Sequence, residues 1–264
     1  MNPAMFPRQK GLSLIELMVA MVIGLFLILG VTQIFINNQR SYLFQQGQVG
    51  NQENGRFALA LLSQELLKAG YRSDPKSDLT ADSSTNCTFQ AGAGVAAVSA
   101  TSLCIQYQAT NKADLTCQGT ALSSTGKDAI VLPYGQSNPK IIENIAFESA
   151  TSSITCTTGT VTQQLVDGVR DLRFEYGTAT VSDPKTIVAW SATPAAADIV
   201  AAVRYSVLMQ SQGTSAIRDN ATPVPVALTD WNSRYGTAYG KTSADKVSIY
   251  KIVEGTIMIR NQMQ

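Results

Sequence analysis

The carboxylate of Glu16 is the acidic group nearest to a run of the chain, from Leu17 to Gln39, that carries no formal charge. Ser13 stands three residues before it, so the two fit the S-x-x-E capping box, in which the glutamate reaches back to the residue that caps a helix. An ionisable group that enters a bilayer costs about 2 to 3 kcal/mol at the centre and less at the edge, and such groups usually have a partner. Helix capping and pairing with a partner are therefore the two explanations for Glu16.

The residue types exclude several kinds of catalytic and metal-binding chemistry. The chain contains no histidine, which removes Ser-His-Asp triads, Cys-His dyads and histidine-ligated metal sites. Asp167 and Asp171 lack the ligand spacing of a calcium-binding loop. With 20 basic and 19 acidic residues, the net charge of +1 gives no electrostatic case for nucleic acid. We expect no catalytic activity, no cofactor, no metal and no nucleic acid.

An apolar segment from residue 17 to residue 36 is long enough to cross a membrane. At about 1.5 Å per helical residue it spans roughly 30 Å, the thickness of the hydrocarbon core of a bilayer. Arg8 and Lys10 precede it, so the positive-inside rule places the N-terminus in the cytoplasm and the chain after Arg40 outside. A cleaved secretory signal peptide is disfavoured because the run is too long and no A-x-A site closes it. A simple uncleaved anchor explains the run but not Glu16.

Four cysteines follow the apolar segment and therefore lie in the exported part of the chain. An oxidising compartment makes disulfides the natural interpretation, and four cysteines allow three pairings. We favour sequential closure because it needs the shortest loops, although the sequence alone leaves the choice open. A metal site is the weaker interpretation because the spacings are wide and contain no C-x-x-C pair. The favoured pairs are Cys87 with Cys104 and Cys117 with Cys156.

The segment K-G-L-S-L-I-E-L at residues 10–17, with the uncharged run after it, closely resembles the N-terminus of type IV pilins and other prepilin-type proteins. In that family a membrane peptidase cuts after the glycine, which here implies a cut between Gly11 and Leu12. Glu16 then becomes the fifth mature residue, whose counterpart in the family neutralises the new N-terminal amine of a neighbouring subunit. An amine and a carboxylate attract strongly in such a low-dielectric bundle. Leu12 departs from the phenylalanine that is most frequent at this position, so its N-methylation stays open.

A second resemblance narrows the family to the PilW-type minor pilins. It rests on N-Q-E-N-G-R-F-A-L at residues 51–59, A-G-Y-R at residues 69–72, D-G-V-R-D-L-R-F-E-Y-G at residues 167–177 and T-I-M-I-R-N at residues 256–261. Apolar residues recur at helical spacing up to Ala69, and Gly70 is a stop signal. We therefore expect one long helix, although Gly47, Gly50 and the Asn54–Gly55 pair argue against its continuity.

After Pro75 the chain is rich in Ser, Thr, Ala and Gly and contains short runs in which apolar and polar residues alternate. Such runs predict strands of an antiparallel sheet with one buried face and one wet face. The candidate strands are residues 103–108, 130–132, 141–147, 172–176, 203–207, 247–253 and 256–259.

The segment from residue 210 to residue 246 has no convincing strand and carries Trp231, Tyr235 and Tyr239. Long loops with aromatic residues can form binding surfaces, so these three residues mark a candidate interaction loop. The alternative, which we favour, is that the aromatic side chains only hold the loop on the sheet.

These observations predict an α+β protein with a type IV pilin-like fold, in which a long N-terminal helix packs on a predominantly antiparallel β head. Residues 1–11 form the cytoplasmic leader. Residues 12–70 form the helix, with its transmembrane part at about 17–36. Residues 71–264 form a periplasmic or extracellular β-rich head.

The resemblance implies a minor pilin that acts with other minor pilins to initiate assembly of a type IV pilus, at or near its tip. The expected partners are the prepilin peptidase, other minor pilins, the major pilin, a pilus-tip adhesin and the inner membrane. The expected location is the inner membrane of a Gram-negative bacterium with the head in the periplasm, and the pilus after assembly. The nearest alternative is the large minor pseudopilin of a type II secretion system. An alternative of another class is a membrane-anchored periplasmic adhesin or enzyme, the latter with serine and lysine or paired carboxylates in place of histidine.

Overall fold

The computed structural model describes residues 11, 13–84, 86–131, 138–213, 224–240 and 247–262. The chain divides into two compact units, Met1–Gln46 and Gly47–Gln264. Helix α1 (Leu14–Lys68) begins in the first unit and ends in the second.

In the first unit, α1 exposes its apolar side chains on all sides. The large apolar residues between Leu14 and Phe35 are at least 50% exposed. The Thr32 hydroxyl donates a hydrogen bond of 2.7 Å to the backbone oxygen of Ile28, which satisfies this polar group within the helix. The helix is long and apolar enough to cross a membrane. Lipid or other helices must cover this surface, because apolar area of this size is unfavourable in water.

In the second unit, α1 packs one face against the rest of the chain. Its buried residues recur at intervals of three and four, as the helical period requires. Gly55 allows the Val253 side chain to approach, since a β-carbon at Gly55 would lie 3.0 Å from Val253 Cγ1. The buried residues are Asn51, Gly55, Ala58, Leu62, Glu65 and Leu66. The glycine that argued against a continuous helix is therefore a close-packing position in an unbroken one.

The end of α1 is built from two glycines. Gly70 has a φ of +74°, a backbone conformation that glycine adopts without strain, and its N–H donates to the backbone oxygen of Gln106 at 2.9 Å. Asn261 Nδ2 donates to the backbone oxygen of Ala69 at 3.0 Å. Gly94 lies against Gly70 so closely that a β-carbon at Gly94 would be 2.4 Å from Gly70 Cα.

The first sheet is an antiparallel meander with the strand order β1-β2-β3-β4-β5. A short helix, α2 (Ser124–Asp128), lies between β2 and β3 in the chain. The strands are β1 (Val95–Ser99), β2 (Ser102–Gln108), β3 (Lys140–Glu148), β4 (Ser153–Thr158) and β5 (Val161–Val166).

The second sheet is also antiparallel and has the strand order β7-β6-β8-β9. Helix α3 (Val226–Tyr235) lies between β8 and β9 in the chain, and a 3-10 helix (Arg260–Gln262) follows β9. The strands are β6 (Val169–Ala179), β7 (Ala189–Ser191), β8 (Ile199–Gln210) and β9 (Tyr250–Met258).

One hydrophobic core joins α1 to both sheets. Burying large apolar side chains in this way contributes about 1.5 to 3 kcal/mol for each side chain. The core includes Ala58, Leu62 and Leu66 from α1, Leu103, Ile105 and Ile145 from the first sheet, and Leu172, Phe174, Val203, Tyr205 and Val207 from the second.

The predicted fold class is confirmed: a long N-terminal helix packs on antiparallel sheets. Strands predicted at 103–108, 141–147, 172–176 and 203–207 lie in β2, β3, β6 and β8. The predicted wet face of β2 is wrong, since Cys104 and Gln106 are fully buried. A disulfide-bonded segment covers that face, where Gln106 Nε2 donates to the backbone oxygen of Ala93 at 2.6 Å.

Two other strand predictions need correction. A strand at 130–132 is wrong for Ile130 and Val131, which have no regular structure after α2, and residue 132 lies outside the described residues. The runs at 247–253 and 256–259 form the single strand β9, which begins only at Tyr250. Gly255 lies within this strand, opposite Tyr205. A glycine is needed there because the Tyr205 ring occupies the space that a side chain would fill.

We predict that Gly94→Ala destabilises the head by about 1 to 3 kcal/mol, because the new methyl group must displace the backbone at Gly70. The measurement is urea unfolding of the full-length chain in detergent. Gly50→Ala is the matched control. This position lies in α1 with nothing within 4 Å of the added carbon, so replacing a helical glycine should stabilise the chain by up to about 1 kcal/mol. Equal unfolding midpoints for the two variants would contradict the close contact between Gly70 and Gly94.

Candidate functional site

The N-terminal site consists of Gly11 and the first turn of α1. Gly11 is exposed, and nothing lies within 4 Å of a β-carbon placed on it. Leu12, the other residue of the predicted cleavage site, lies outside the described residues. The first helical hydrogen bond runs from Leu17 N to the backbone oxygen of Ser13 at 3.2 Å. Glu16 is exposed in this first turn, where the helix dipole favours a carboxylate.

This arrangement combines an accessible peptide segment with a charged group beside an apolar helix. A peptidase can approach Gly11 because no described residue packs over it. The Glu16 carboxylate faces outward, at the end of the exposed apolar surface that begins at Leu14. Such a carboxylate can pair with a cation on another molecule that packs along the same helix.

Two disulfides fasten the segments on either side of β2. Cys87 and Cys104 are joined with a Cα–Cα distance of 5.9 Å, and Cys117 and Cys156 with a distance of 6.3 Å. This is the sequential pairing that loop length favoured. Closing loops with sequence separations of 17 and 39 residues restricts the unfolded chain, which is worth about 3 to 4 kcal/mol for each disulfide in the chain-entropy model.

Helix α3 is held on the second sheet by a buried carboxylate. Asp171 on β6 is 1% exposed, and its Oδ2 accepts hydrogen bonds from Trp231 Nε1 at 3.0 Å and the Tyr239 hydroxyl at 3.2 Å. Arg173 donates to the same oxygen from Nε at 3.0 Å and from Nη2 at 2.9 Å. Burial, together with the charge of Asp171, raises the pKa of Tyr239. Asp171 therefore gathers β6, α3 and the segment after α3 into one polar cluster.

The prediction that Trp231 belongs to an exposed interaction surface is wrong. That side chain is fully buried, and Tyr235 and Tyr239 are partly buried. The ring centroids of Trp231 and Tyr235 lie 4.5 Å apart, and both rings pack near Leu208. The aromatic residues hold this segment on the sheet, which is the alternative that the sequence favoured.

Sequence reasoning missed α3 and the role of Asp171. The helix has recognisable signals, since Pro225 precedes it and Gly236, with a φ of +66°, ends it. Its buried residues Leu228, Trp231 and Asn232 also follow helical spacing. No comparable signal identifies Asp171, because the two donors that connect it to α3 and the segment after α3, Trp231 and Tyr239, are 60 and 68 positions away in the chain.

Two segments of this chain match known protein families. Residues 6–32 match the prokaryotic N-terminal methylation motif. Residues 136–261, which include β3 to β9, match the type IV pilus-assembly protein W family. No curated protein matches the chain by sequence. Among solved structures, a type IV-like pilin, TTHA1219 from Thermus thermophilus, is similar with a TM-score of 0.44 and 12% identity, over 80% of this chain and 97% of that one. The matched families are structural proteins of pili and not enzymes.

We predict that Asp171→Ala lowers the free energy of unfolding by about 3 kcal/mol, because it leaves Arg173 and the Trp231 indole N–H without their acceptor. Urea unfolding of the full-length chain in detergent, followed by tryptophan fluorescence, gives this value. Asp128→Ala is the matched control at an exposed position and should change stability by less than about 0.5 kcal/mol. The assigned role of Asp171 fails if both variants unfold at the urea concentration of the wild type.

Proposed function

Because the chain is a type IV pilus minor pilin of the PilW type, we propose that it acts with other minor pilins to initiate pilus assembly, at or near the tip of the filament. The observation that carries this proposal is the match of residues 136–261 to the type IV pilus-assembly protein W family, together with the methylation motif at residues 6–32.

In the proposed mechanism, the prepilin peptidase cuts between Gly11 and Leu12 on the cytoplasmic side of the inner membrane. The open surroundings of Gly11 support this step. The cut leaves a new amine at Leu12, and Glu16 pairs with the corresponding amine of a neighbouring subunit. The pair is favourable in a bundle that excludes water, because each charge alone would be costly there.

The orientation of the chain follows from its charges and cysteines. Arg8 and Lys10 favour a cytoplasmic N-terminus, which sends the head into the periplasm. All four cysteines belong to the head and form disulfides, which persist in an oxidising compartment. Both observations support an inner-membrane precursor that later enters the pilus.

During assembly, the apolar part of α1 supplies lateral packing against the helices of other subunits. Its side chains between Leu14 and Phe35 are exposed and need such a cover once they leave the lipid. The head contacts the heads of other minor pilins, of the major pilin and of a tip adhesin. The large minor pseudopilin of a type II secretion system would share the N-terminal motif, but the family match at residues 136–261 favours the pilus.

The cleavage step predicts the mass of the mature protein. In cells that contain the prepilin peptidase, the membrane-extracted chain should begin at Leu12, and in cells without the peptidase it should begin at Met1. Intact mass together with N-terminal sequencing checks this. A chain that begins at Met1 in both strains, or that is cut beyond Ile36, contradicts the proposed processing.

The pairing step predicts that Glu16→Gln reduces the number of surface pili by about tenfold or more, since an amine left unpaired in a low-dielectric bundle costs well over 1.4 kcal/mol. The measurement counts pili on cells that express the variant in place of the wild type, with cleavage monitored by mass. Glu53→Gln, at an exposed position on the same helix, is the matched control and should leave piliation unchanged. Normal piliation together with normal type II secretion in the Glu16→Gln strain would rule out the charge pair. A defect in type II secretion with normal piliation would favour the pseudopilin.

A further inference from the structure

Two buried glutamates connect the last turns of α1 to the first sheet. Glu143 on β3 is 0% exposed, and Glu65 on α1 is 5% exposed. Neither residue belongs to the N-terminal site or to the Asp171 cluster. Buried carboxylates are costly unless they are paired, so each of them needs an explanation.

The two oxygens of Glu143 have different surroundings. Oε1 accepts a hydrogen bond from the Tyr107 hydroxyl at 2.9 Å and another from the Cys117 backbone N–H at 2.7 Å. Oε2 is buried and receives no hydrogen bond from any donor in the described part of the chain. Glu65 lines the same cavity as Tyr107 and Cys117, the two residues that donate to Glu143 Oε1. Its charge and a side-chain hydrogen bond both raise the pKa of Glu143. Two ionised carboxylates cannot bond to each other, but a carboxyl that keeps its proton can donate to the other.

The surrounding charges favour one proton on this pair. Lys68, on the same helix, forms an ion pair of 2.6 Å with Glu65 Oε2 and so balances one negative charge. Burial and the charge of Glu65 raise the pKa of Glu143 to about 7, against smaller opposing effects of the Cys117 N–H and Lys68. Among the described groups that act most strongly on Glu143, Lys68 is the one cation, and it already pairs with Glu65. A bound proton is therefore the simplest way to neutralise the negative charge of Glu143.

We propose that the buried Glu143 carboxyl keeps its proton at neutral and acidic pH and donates it to the Glu65 carboxylate, and that this hydrogen bond holds the last turns of α1 on the first sheet as a pH-sensitive latch. The proposal concerns the head of the single chain and does not depend on the function proposed above. When the proton leaves, two negative carboxylates act on each other, with Lys68 as the cation that acts on both. The contact between α1 and β3 then weakens.

A cavity of about 670 Å³ is lined by Glu65 and by Tyr107 and Cys117, the two donors to Glu143, and it brings solvent next to the pair. The elements around the pair each place a polar or charged group at the wall of this cavity. The groups that line the cavity are Glu65 and Lys68 of α1, Tyr107 of β2, and Asp114 and Cys117 of the segment after β2. Asp114 is occupied locally, since it accepts hydrogen bonds from Thr110. The Tyr107 hydroxyl remains a donor at neutral pH, because burial raises its pKa further above the ordinary value.

The sign of the pH dependence follows from the raised pKa of Glu143. Below its ordinary value of 4.5, the group is protonated in both the folded and the unfolded chain and contributes no pH dependence. Between 4.5 and about 7, the unfolded chain releases the proton while the folded chain keeps it, so stability falls as the pH rises. Above about 7 both states are ionised, and the loss is complete.

The test compares Glu143→Gln with Glu148→Gln in the full-length chain in detergent. The amide that the first substitution introduces would mimic the protonated carboxyl, since it can donate to Glu65 while its oxygen accepts from Tyr107 and Cys117. Glu148 is exposed on the same strand and serves as the matched control. In Glu148→Gln, as in the wild type, the contribution of Glu143 should lower the folding equilibrium constant on the order of a hundredfold from about pH 5 to about pH 8. In Glu143→Gln this contribution should be absent. Carboxyl groups outside the Glu143–Glu65 pair titrate equally in both variants, and identical pH profiles would overturn the proposal.

Two measurements on the wild type keep the proposal testable even if Glu143→Gln does not fold. Carbon-detected NMR of the glutamate carboxyl groups should show one glutamate that titrates near pH 7, and titration of every glutamate below about pH 5 would overturn the proposal. Amide hydrogen exchange of the last turn of α1, corrected for its intrinsic pH dependence, should lose protection between about pH 6 and about pH 8. Unchanged protection there would show that the proton does not hold the helix.

Discussion

Packing of the second half of α1 against two antiparallel sheets is the interaction on which the rest of the head depends. Ala58, Leu62 and Leu66 are fully buried in a core that contains side chains from both sheets. Without the helix, each sheet would expose an apolar face to water, which is unfavourable in proportion to its area. The requirement for close approach explains a glycine within the helix at Gly55 and the contact between Gly70 and Gly94 where the helix ends.

The first half of the same helix meets the opposite requirement. Residues 47–68 combine a buried apolar face with polar positions, whereas residues 17–35 carry exposed side chains and are apolar apart from Thr32 and Gln33. A helix that is apolar all round is stable only in lipid or among other helices. One continuous helix thus serves a membrane or filament at one end and a folded head at the other. This division agrees with a pilin, whose subunits move from the membrane into a filament.

Two buried acids anchor the head in different ways. Asp171 receives three donor groups on one oxygen and brings Arg173 as its countercharge, so it forms a satisfied cluster under α3. Glu143 has donors on one oxygen only, and the charged residues of α1 that act on it include a second acid, Glu65. A satisfied buried ion pair makes a rigid anchor, whereas an unsatisfied carboxyl makes a group that responds to pH.

The sequence by itself determined those features that depend on residues close together in the chain. Helical and alternating periodicity predicted α1 and the strands β2, β3, β6 and β8, and the prepilin-like segment around Gly11 and Glu16 identified the family, because both signals lie in neighbouring residues. Only the tertiary structure decided that Trp231 is a buried anchor, that β2 is covered on both faces, and that the charge of Glu65 acts on the buried Glu143. Those contacts join residues that are far apart in the chain, and their energies depend on burial and on the directions of hydrogen bonds, which no local pattern records.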